Sequence, residues 1–185
     1  MTVQELIKNR RSIRRFEQKP IDKELLLEFV DAARLAPSAA NMQPLRFRIV
    51  HDHAEVKAVF AHTKWAGYLP DFNPSETEAP AAFIAICIDT SIKDSDELAE
   101  IGAAAQNVFL SALERGIGGC WLGAINRPEI CRILNIEPPI KLHSLLALGY
   151  PAESSEPAKY TDSIKYYYQD DVLQVPKRSL EDVLL

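Results

Sequence analysis

Four arginines and one serine near the start of the chain are the side chains best suited to binding chemistry. They are Arg10, Arg11, Ser12, Arg14 and Arg15. A guanidinium group is a planar fork of donors that matches phosphate oxygens two at a time, and a serine hydroxyl adds one more donor. A bound phosphate would offset the repulsion among these like charges, whereas without one the segment would be a basic turn facing water. The pattern therefore predicts either a phosphate site or a solvated turn.

A second polar segment, residues 37–44, combines two prolines with hydroxyl and amide side chains. Pro37 and Pro44 stiffen the backbone. Donors and acceptors come from Ser38, Asn41 and Gln43. A rigid loop that carries amides can recognise a planar heterocycle, and a tight turn between a helix and a strand is the other interpretation.

Three glycines, at positions 116, 118 and 119, precede a short apolar segment. A dinucleotide-binding fingerprint is excluded, because that loop follows a strand and has glycine at its sixth position, which is Trp121 here. The glycines instead predict a sharp turn into a strand over residues 120–124. Main-chain N–H groups near Leu122 and Gly123 could then approach the edge of a ring closely.

The distribution of charge indicates a small anionic ligand. The chain has a formal net charge of −5, and its cations concentrate at residues 8–15 and at Lys177 and Arg178. A nucleic-acid-binding protein would need a basic face or stripe, so we exclude that class. The phosphate could be reached by Lys177, Arg178 or Lys165 if the C-terminus folds back.

The cysteines, the histidines and the hydropathy indicate a protein of a reducing compartment without a metal site. The odd number of cysteines, without metal-ligand spacing, predicts buried reduced thiols at Cys87, Cys120 and Cys131. The four histidines show neither ligand spacing nor a nucleophilic partner. No run reaches the roughly 18 to 20 apolar residues of a membrane span, and no signal-peptide core is visible. We therefore expect a cytoplasmic protein that does not enter a membrane.

Local patterns predict alternating helices and strands in one domain over residues 1–185. Helices are predicted over 3–9, from Asp22 to before Pro37, over 54–62, from Ser95 or Asp96 to Arg115, and from Asn126 to about Asn135. Strands are predicted over 45–49, 81–88, 120–124 and 142–148. The Tyr-rich extension 151–185 should contribute little to a monomer core.

Two large aromatic side chains, Trp65 and Tyr68, lie in a segment that also contains Gly67. They are candidates for a lid or a substrate pocket, because aromatic rings can cover a planar ligand. Aromatic residues in such a segment also serve as core anchors.

Several blocks in order resemble the nitroreductase family of FMN-dependent oxidoreductases. The blocks are Arg-Arg-Ser-x-Arg at the N-terminus and the segments 37–44, 116–123, 147–151 and 176–181. The resemblance implies an α+β fold, a three-layer α/β/α sandwich with a mixed, mostly antiparallel sheet. It also implies a homodimer, with the long central helix in the interface and the C-terminal extension docked on the partner.

The resemblance further assigns the cofactor site. Arg10 and Ser12 would bind the FMN phosphate, Arg14 would face N1 and the C2 carbonyl of the ring, and segment 37–43 would come from the other subunit. The full set implied to bind FMN is Arg10, Arg11, Ser12, Arg14, Pro37, Ser38, Ala39, Asn41, Gln43, Cys120, Trp121, Leu122, Gly123, Lys177 and Arg178. Because FMN carries the hard chemistry, no side chain is expected to act as catalytic acid or nucleophile.

The activity that the resemblance implies is a ping-pong reaction. NADH or NADPH would reduce FMN, and an electron-poor small molecule such as a nitroaromatic or a quinone would then accept the hydride. The alternative is a flavin-binding sensor or carrier without turnover. Fold-level likeness does not choose the acceptor.

Overall fold

A four-stranded antiparallel sheet forms the centre of the fold in the computed structural model, which describes residues 1–93 and 98–185. The strands run in the spatial order β1-β2-β4-β3, and each neighbouring pair is antiparallel. They are β1 Leu45–Val50, β2 Ala82–Asp89, β3 Gly118–Leu122 and β4 Ile140–Gly149. β1 and β3 are therefore the two edges of this sheet.

Helices cover both faces of the sheet. Within the described residues they are α1 Val3–Asn9, α2 Lys23–Arg34, α3 His53–Phe60, α4 Leu98–Glu114 and α5 Arg127–Leu134. Because successive side chains of a strand point to opposite faces, Ile84 of β2 packs with α2 and α4, whereas Phe83 packs with α3 and α5. The predicted three-layer α+β arrangement is confirmed. None of the helices in the described ranges has the length and apolar character needed to cross a bilayer.

Most predicted helix boundaries are matched by local interactions. Thr2 and Glu5 form a reciprocal capping box at the start of α1. Gly116 adopts φ +73° after α4, a left-handed conformation that suits glycine at a helix end. Asp22 occupies the N-cap of α2 but makes no side-chain capping bond. The predicted start of α4 at Ser95 or Asp96 lies outside the described residues.

The C-terminal extension forms a second, smaller sheet, which the sequence did not predict. Its strands are β5 Ser154–Lys159, β6 Tyr167–Gln169 and β7 Val172–Lys177. β5 pairs with β7 in parallel, and β6 pairs with β7 antiparallel. Parallel pairing therefore lies outside the main sheet, except for one bridge described below. Leu173 is fully buried, so the extension does contribute to the core of its own chain.

Gly149, at the end of β4, allows Phe16 to pack against the sheet. A Cβ atom at Gly149 would lie 2.6 Å from Cδ1 of Phe16, which is fully buried. Gly149→Ala should therefore lower the free energy of unfolding by about 1 to 3 kcal/mol, as overpacked cores do. Gly123→Ala is the matched control, since nothing lies within 4 Å of a Cβ there. Urea denaturation of the ligand-free variants measures both, and equal losses would contradict this packing.

Candidate functional site

The arginine segment, residues 10–15, lies along the free edge of β3. Ser12 forms a parallel bridge with Gly119, and the N–H of Ile13 donates to the Gly119 carbonyl oxygen at 3.0 Å. Ile13 is buried, and a Cβ at Gly118 would lie 2.8 Å from its Cγ1. Gly118 and Gly119 are thus part of the strand, where they make room for the arginine segment. The predicted turn into the strand is formed by Gly116, and the strand begins at Gly118 rather than at residue 120.

Arg10 and Arg14 are half-buried cations. Among the described residues, neither guanidinium group has an ion-pair partner, and Nη1 of Arg14 is buried without a hydrogen-bond partner. Burial lowers the pKa of Arg10, and the charge of Arg11 lowers it further. Half-buried donors of this kind are costly unless an acceptor meets them, so the set fits an anionic ligand such as the FMN phosphate.

The other two arginines of the segment have structural partners. Arg11 donates from Nη1 to the carbonyl oxygen of Arg10 at 2.5 Å and from Nη2 to that of Lys8 at 2.7 Å. It therefore caps the C-terminal end of α1, where cations are favourable. Arg15 pairs with Glu78 at 3.3 Å. Arg11 was predicted to bind the cofactor, but both of its terminal nitrogens already donate hydrogen bonds to backbone carbonyl oxygens.

The amide loop, residues 37–44, holds three non-glycine residues in the left-handed region. The φ angles are 51° at Ala40, 54° at Asn41 and 52° at Gln43. Asparagine tolerates this conformation, whereas for most residues it costs about 1 to 2 kcal/mol. Strain of this kind concentrates at ligand sites, so the loop is a candidate for binding as well as a turn.

Several hydrogen bonds hold the amide loop in this conformation, including one from the Gln43 amide to the carbonyl oxygen of Asn41 at 3.2 Å. The Ser38 hydroxyl oxygen accepts from the N–H of Gln43 at 2.8 Å, and the carboxylate of Glu100 accepts from the N–H of Ala39 at 2.9 Å. Glu100 is only 6% exposed, and no local sequence pattern indicated its role. The side chains of Asn41 and Gln43 remain exposed on the outer surface.

The amide loop and the arginine segment lie at opposite corners of the main sheet. At one corner the loop ends at Pro44, whose carbonyl oxygen accepts from the N–H of Asp89, and Asp89 pairs with Ile140 at the start of β4. At the other corner Ser12 pairs with Gly119, which pairs with Leu148 near the end of β4. Four strand spacings of about 4.8 Å and about eight residues of about 3.3 Å separate them, roughly 30 Å in all. One copy of the chain therefore does not bring its own two predicted half-sites together.

At the end of β3, the backbone is accessible to a ligand, whereas the apolar side chains of Cys120 and Leu122 are not. Cys120 and Leu122 are 5% and 4% exposed, so their side chains belong to the core. Only the backbone of Leu122 therefore remains available to a ligand, and the predicted approach of its N–H group to a ring stays a prediction. Trp121 is 39% exposed on the outer face, and Gly123 is exposed.

The cysteines are free thiols, as predicted. Cys87 and Cys120 are buried, and Cys131 is partly buried. Burial raises the pKa of Cys87 to about 12 and also raises that of Cys120. Thiols held in the protonated form are poor nucleophiles, so these two have no chemical role in the site. Among the described residues, no three His, Cys, Asp or Glu side chains are grouped as a metal site.

The structure corrects the prediction that Trp65 lines a substrate pocket. Trp65 is 8% exposed, its ring centroid lies 6.5 Å from that of Phe16 and 6.0 Å from that of Phe60, and its Nε1–H donates to Thr63. It is a core anchor, the other interpretation of this aromatic residue. Tyr68 is 45% exposed and remains available to a ligand.

Trp65→Ala should lower the free energy of unfolding by about 3 to 5 kcal/mol, because it removes a large buried ring. Trp121→Ala, which removes the exposed tryptophan, is the control and should lower the free energy of unfolding by less than half as much. Denaturation of the FMN-free proteins compares them. A small loss for Trp65→Ala, with a change confined to substrate kinetics, would restore the pocket interpretation.

The predicted C-terminal cations lie in the small sheet. Lys177 is paired with Lys159 at the end of β7, and the Arg178 guanidinium lies 5.0 Å from the ring centroid of Tyr160. In the described ranges no hydrogen bond or ion pair joins Lys177, Arg178 or Lys165 to the arginine segment. Their contact with a phosphate stays a prediction.

Sequence reasoning missed a group of tail side chains that contact the arginine segment. The Glu153 carboxylate accepts from the N–H of Arg14 at 2.5 Å and from the hydroxyl of Tyr168 at 2.6 Å. The Arg14 guanidinium lies over the ring of Tyr166 at 4.7 Å. The alternation of Tyr166 and Tyr168 was the available signal, since Tyr166 contacts Arg14 and Tyr168 contacts its hydrogen-bond partner Glu153.

Comparison with known proteins identifies the family. The profile described as "Nitroreductase family" matches residues 7–150, which include the arginine segment, the amide loop and all of the main sheet. The chain belongs to the nitroreductase family. The predicted resemblance and the predicted class of enzyme, an oxidoreductase, are thereby confirmed.

Individual nitroreductase relatives agree with this membership. A protein from Methanothermobacter thermautotrophicus, provisionally named NADH dehydrogenase/NAD(P)H nitroreductase, is 31% identical over 163 residues, covering 83% of this chain and 80% of the relative. A relative of the same name from Archaeoglobus fulgidus is 31% identical over 158 residues, covering 82% and 86%. A provisionally named nitroreductase from Desulfovibrio desulfuricans, solved in complex with FMN, has a TM-score of 0.73 at 26% identity and covers 100% of this chain and 96% of its own.

Proposed function

We propose that this nitroreductase-family chain binds FMN and transfers hydride from NADH or NADPH to an electron-poor small molecule. The observation that carries the proposal is the pair of half-buried guanidinium groups, Arg10 and Arg14, that have no ion-pair partner among the described residues. The FMN-bound relative and the NAD(P)H in the names of others support the choice of cofactor and donor.

In this proposal the residues of the arginine segment have different roles. Arg10 and Ser12 bind the phosphate, because bidentate and charge-assisted bonds compensate the charge of a dianion. Arg14 would supply a positive charge at the pyrimidine edge of the ring. When bound, FMN supplies the hydride chemistry by accepting a hydride and passing it on. A fixed cation at this edge favours acceptance because it stabilises the charge that develops there.

We further propose that two copies of the chain share each site. The roughly 30 Å between the amide loop and the arginine segment is too long for one small ligand, so the amide loop must serve the site of a second copy. Asn41 and Gln43, exposed on the surface, would then contact the ring from the partner. The final residues of the C-terminal extension, which are exposed, remain available to dock on that partner as predicted.

The donor and the acceptor would use the same open face in turn, a ping-pong scheme. A cleft of about 520 Å³ lined by residues 61–64 and 124–126 begins directly after Gly123. Gly123 presents its backbone with nothing within 4 Å of a Cβ position. This cleft gives room for a small aromatic or quinone acceptor.

The visible spectrum of the purified protein tests the function. We expect the absorption of oxidised flavin, its bleaching by NADH or NADPH without oxygen, and its recovery when menadione is added. A protein that stays colourless after incubation with FMN would contradict the cofactor assignment. A yellow protein that neither nucleotide reduces would instead be the sensor or carrier without turnover.

A further inference from the structure

The C-terminal extension reaches back to the arginine segment through an aromatic ring. Tyr166 is half-buried, and the Arg14 guanidinium carbon lies 4.7 Å from the centroid of its ring. This is the distance of a cation–π contact, in which the face of the ring attracts the guanidinium plane. Nη1 of the same guanidinium is buried and has no hydrogen-bond partner among the described residues, so the ring contact leaves one donor of Arg14 unsatisfied.

The backbone of Arg14 is fixed by the same extension. The carboxylate of Glu153 accepts from the N–H of Arg14 through one oxygen, at 2.5 Å, and from the hydroxyl of Tyr168 through the other, at 2.6 Å. Burial raises the pKa of Tyr168, and its bond to Glu153 raises it further, so the hydroxyl keeps its proton for this bond. Both the main chain and the side chain of Arg14 therefore depend on residues of the extension.

Tyr166 is itself held on its other side. Its hydroxyl oxygen accepts a long hydrogen bond, 3.4 Å, from the N–H of Tyr68, and the two rings pack at a centroid distance of 5.2 Å. Arginine has many rotamers, and a side chain that exchanges among them stabilises a negative charge at a fixed position only part of the time. A ring fixed on two sides restricts those rotamers before any ligand binds.

We propose that Tyr166 is a positioning residue that holds the Arg14 guanidinium toward the flavin ring, so that the extension of the same chain tunes the bound cofactor. This rests on the proposed function, because it requires FMN at the arginine segment. Tyr166 need not touch FMN, and its effect would pass through Arg14. A cation fixed at the pyrimidine edge favours the reduced cofactor. Removing the contact between Tyr166 and Arg14 should therefore make the bound FMN harder to reduce.

The test is the midpoint potential of bound FMN in Tyr166→Leu. We expect the preference of the site for reduced over oxidised FMN to fall about tenfold, which for a two-electron couple is a decrease of about 30 mV. Tyr166→Phe keeps the ring and should retain the wild-type potential. Tyr167→Leu is the matched control, since it removes an exposed tyrosine of the same extension. Tyr166→Met, with a longer and unbranched side chain that fills irregular gaps, is a second variant in case Tyr166→Leu does not fold.

A double-mutant cycle shows whether the effect passes through Arg14. In an Arg14→Met background, Tyr166→Leu should change the potential no further. The proposal is overturned if Tyr166→Leu or Tyr166→Met binds FMN with an unchanged potential, or if its shift persists in full without Arg14. Tighter FMN binding in Tyr166→Leu would also overturn it, because Tyr166 would then occupy space that the cofactor needs. A wild-type protein that binds no FMN would instead refute the proposed function.

Discussion

Replacing Arg10 with alanine should weaken FMN binding about 100-fold, equivalent to about 3 kcal/mol, and release the cofactor during purification. Arg10 is half-buried, its pKa is lowered by burial and by Arg11, and it has no ion-pair partner among the described residues. Its charge is therefore uncompensated until an anion binds. Titration of the FMN-free variant with FMN, followed by flavin fluorescence, measures the loss.

The same substitution separates binding from folding. Because Arg10 is repelled by Arg11 when no ligand is present, the FMN-free Arg10→Ala protein should unfold at the wild-type temperature or slightly above it. Arg132→Ala is the matched control, since Arg132 is an exposed arginine whose ion pair among the described residues is with Glu129 of its own helix. It should leave FMN affinity unchanged. Full FMN occupancy in purified Arg10→Ala would remove Arg10 from the phosphate site.

Removing the two amides of the amide loop should weaken FMN binding about 30-fold, equivalent to about 2 kcal/mol for two hydrogen bonds. Asn41→Gly combined with Gln43→Gly is the suitable variant, because both residues have φ angles near +50° and glycine adopts them without strain. The loop backbone and the dimer should therefore persist. Gel filtration checks the dimer, and an FMN affinity equal to that of the wild type would exclude the loop from the site.

The main sheet and its helices could be predicted because local sequence determines them. Thr2 and Glu5 cap α1 within a single turn, and the apolar run of β2 requires a strand covered on both faces. The arginine segment could be recognised for a similar reason, since four cations so close together require a partner or water. What the sequence did not reveal is that, within the part of the chain that the structure describes, Arg10 and Arg14 have no ion-pair partners, whereas Arg11 and Arg15 are engaged.

The features that were missed depend on contacts between distant parts of the chain. Glu153 meets Arg14 across 139 positions of sequence, and no local pattern specifies that bond. The parallel pairing of β5 with β7 likewise joins strands that are not consecutive, since β6 lies between them in the sequence and pairs with β7 itself. Trp65 and Tyr68 lie three residues apart, yet one ring is in the core and the other on the surface. Composition alone did not separate them.

The shared site is the central claim, and a mixed dimer tests it most directly. One chain carries Arg10→Ala, the other carries Asn41→Gly with Gln43→Gly, and different tags allow the mixed dimer to be purified after co-expression. In a shared site, the intact arginine segment of one chain meets the intact amide loop of the other, whereas the second site lacks both. We therefore predict one tightly bound FMN per mixed dimer and almost none in either parent homodimer. A mixed dimer as empty as the parents would contradict the account.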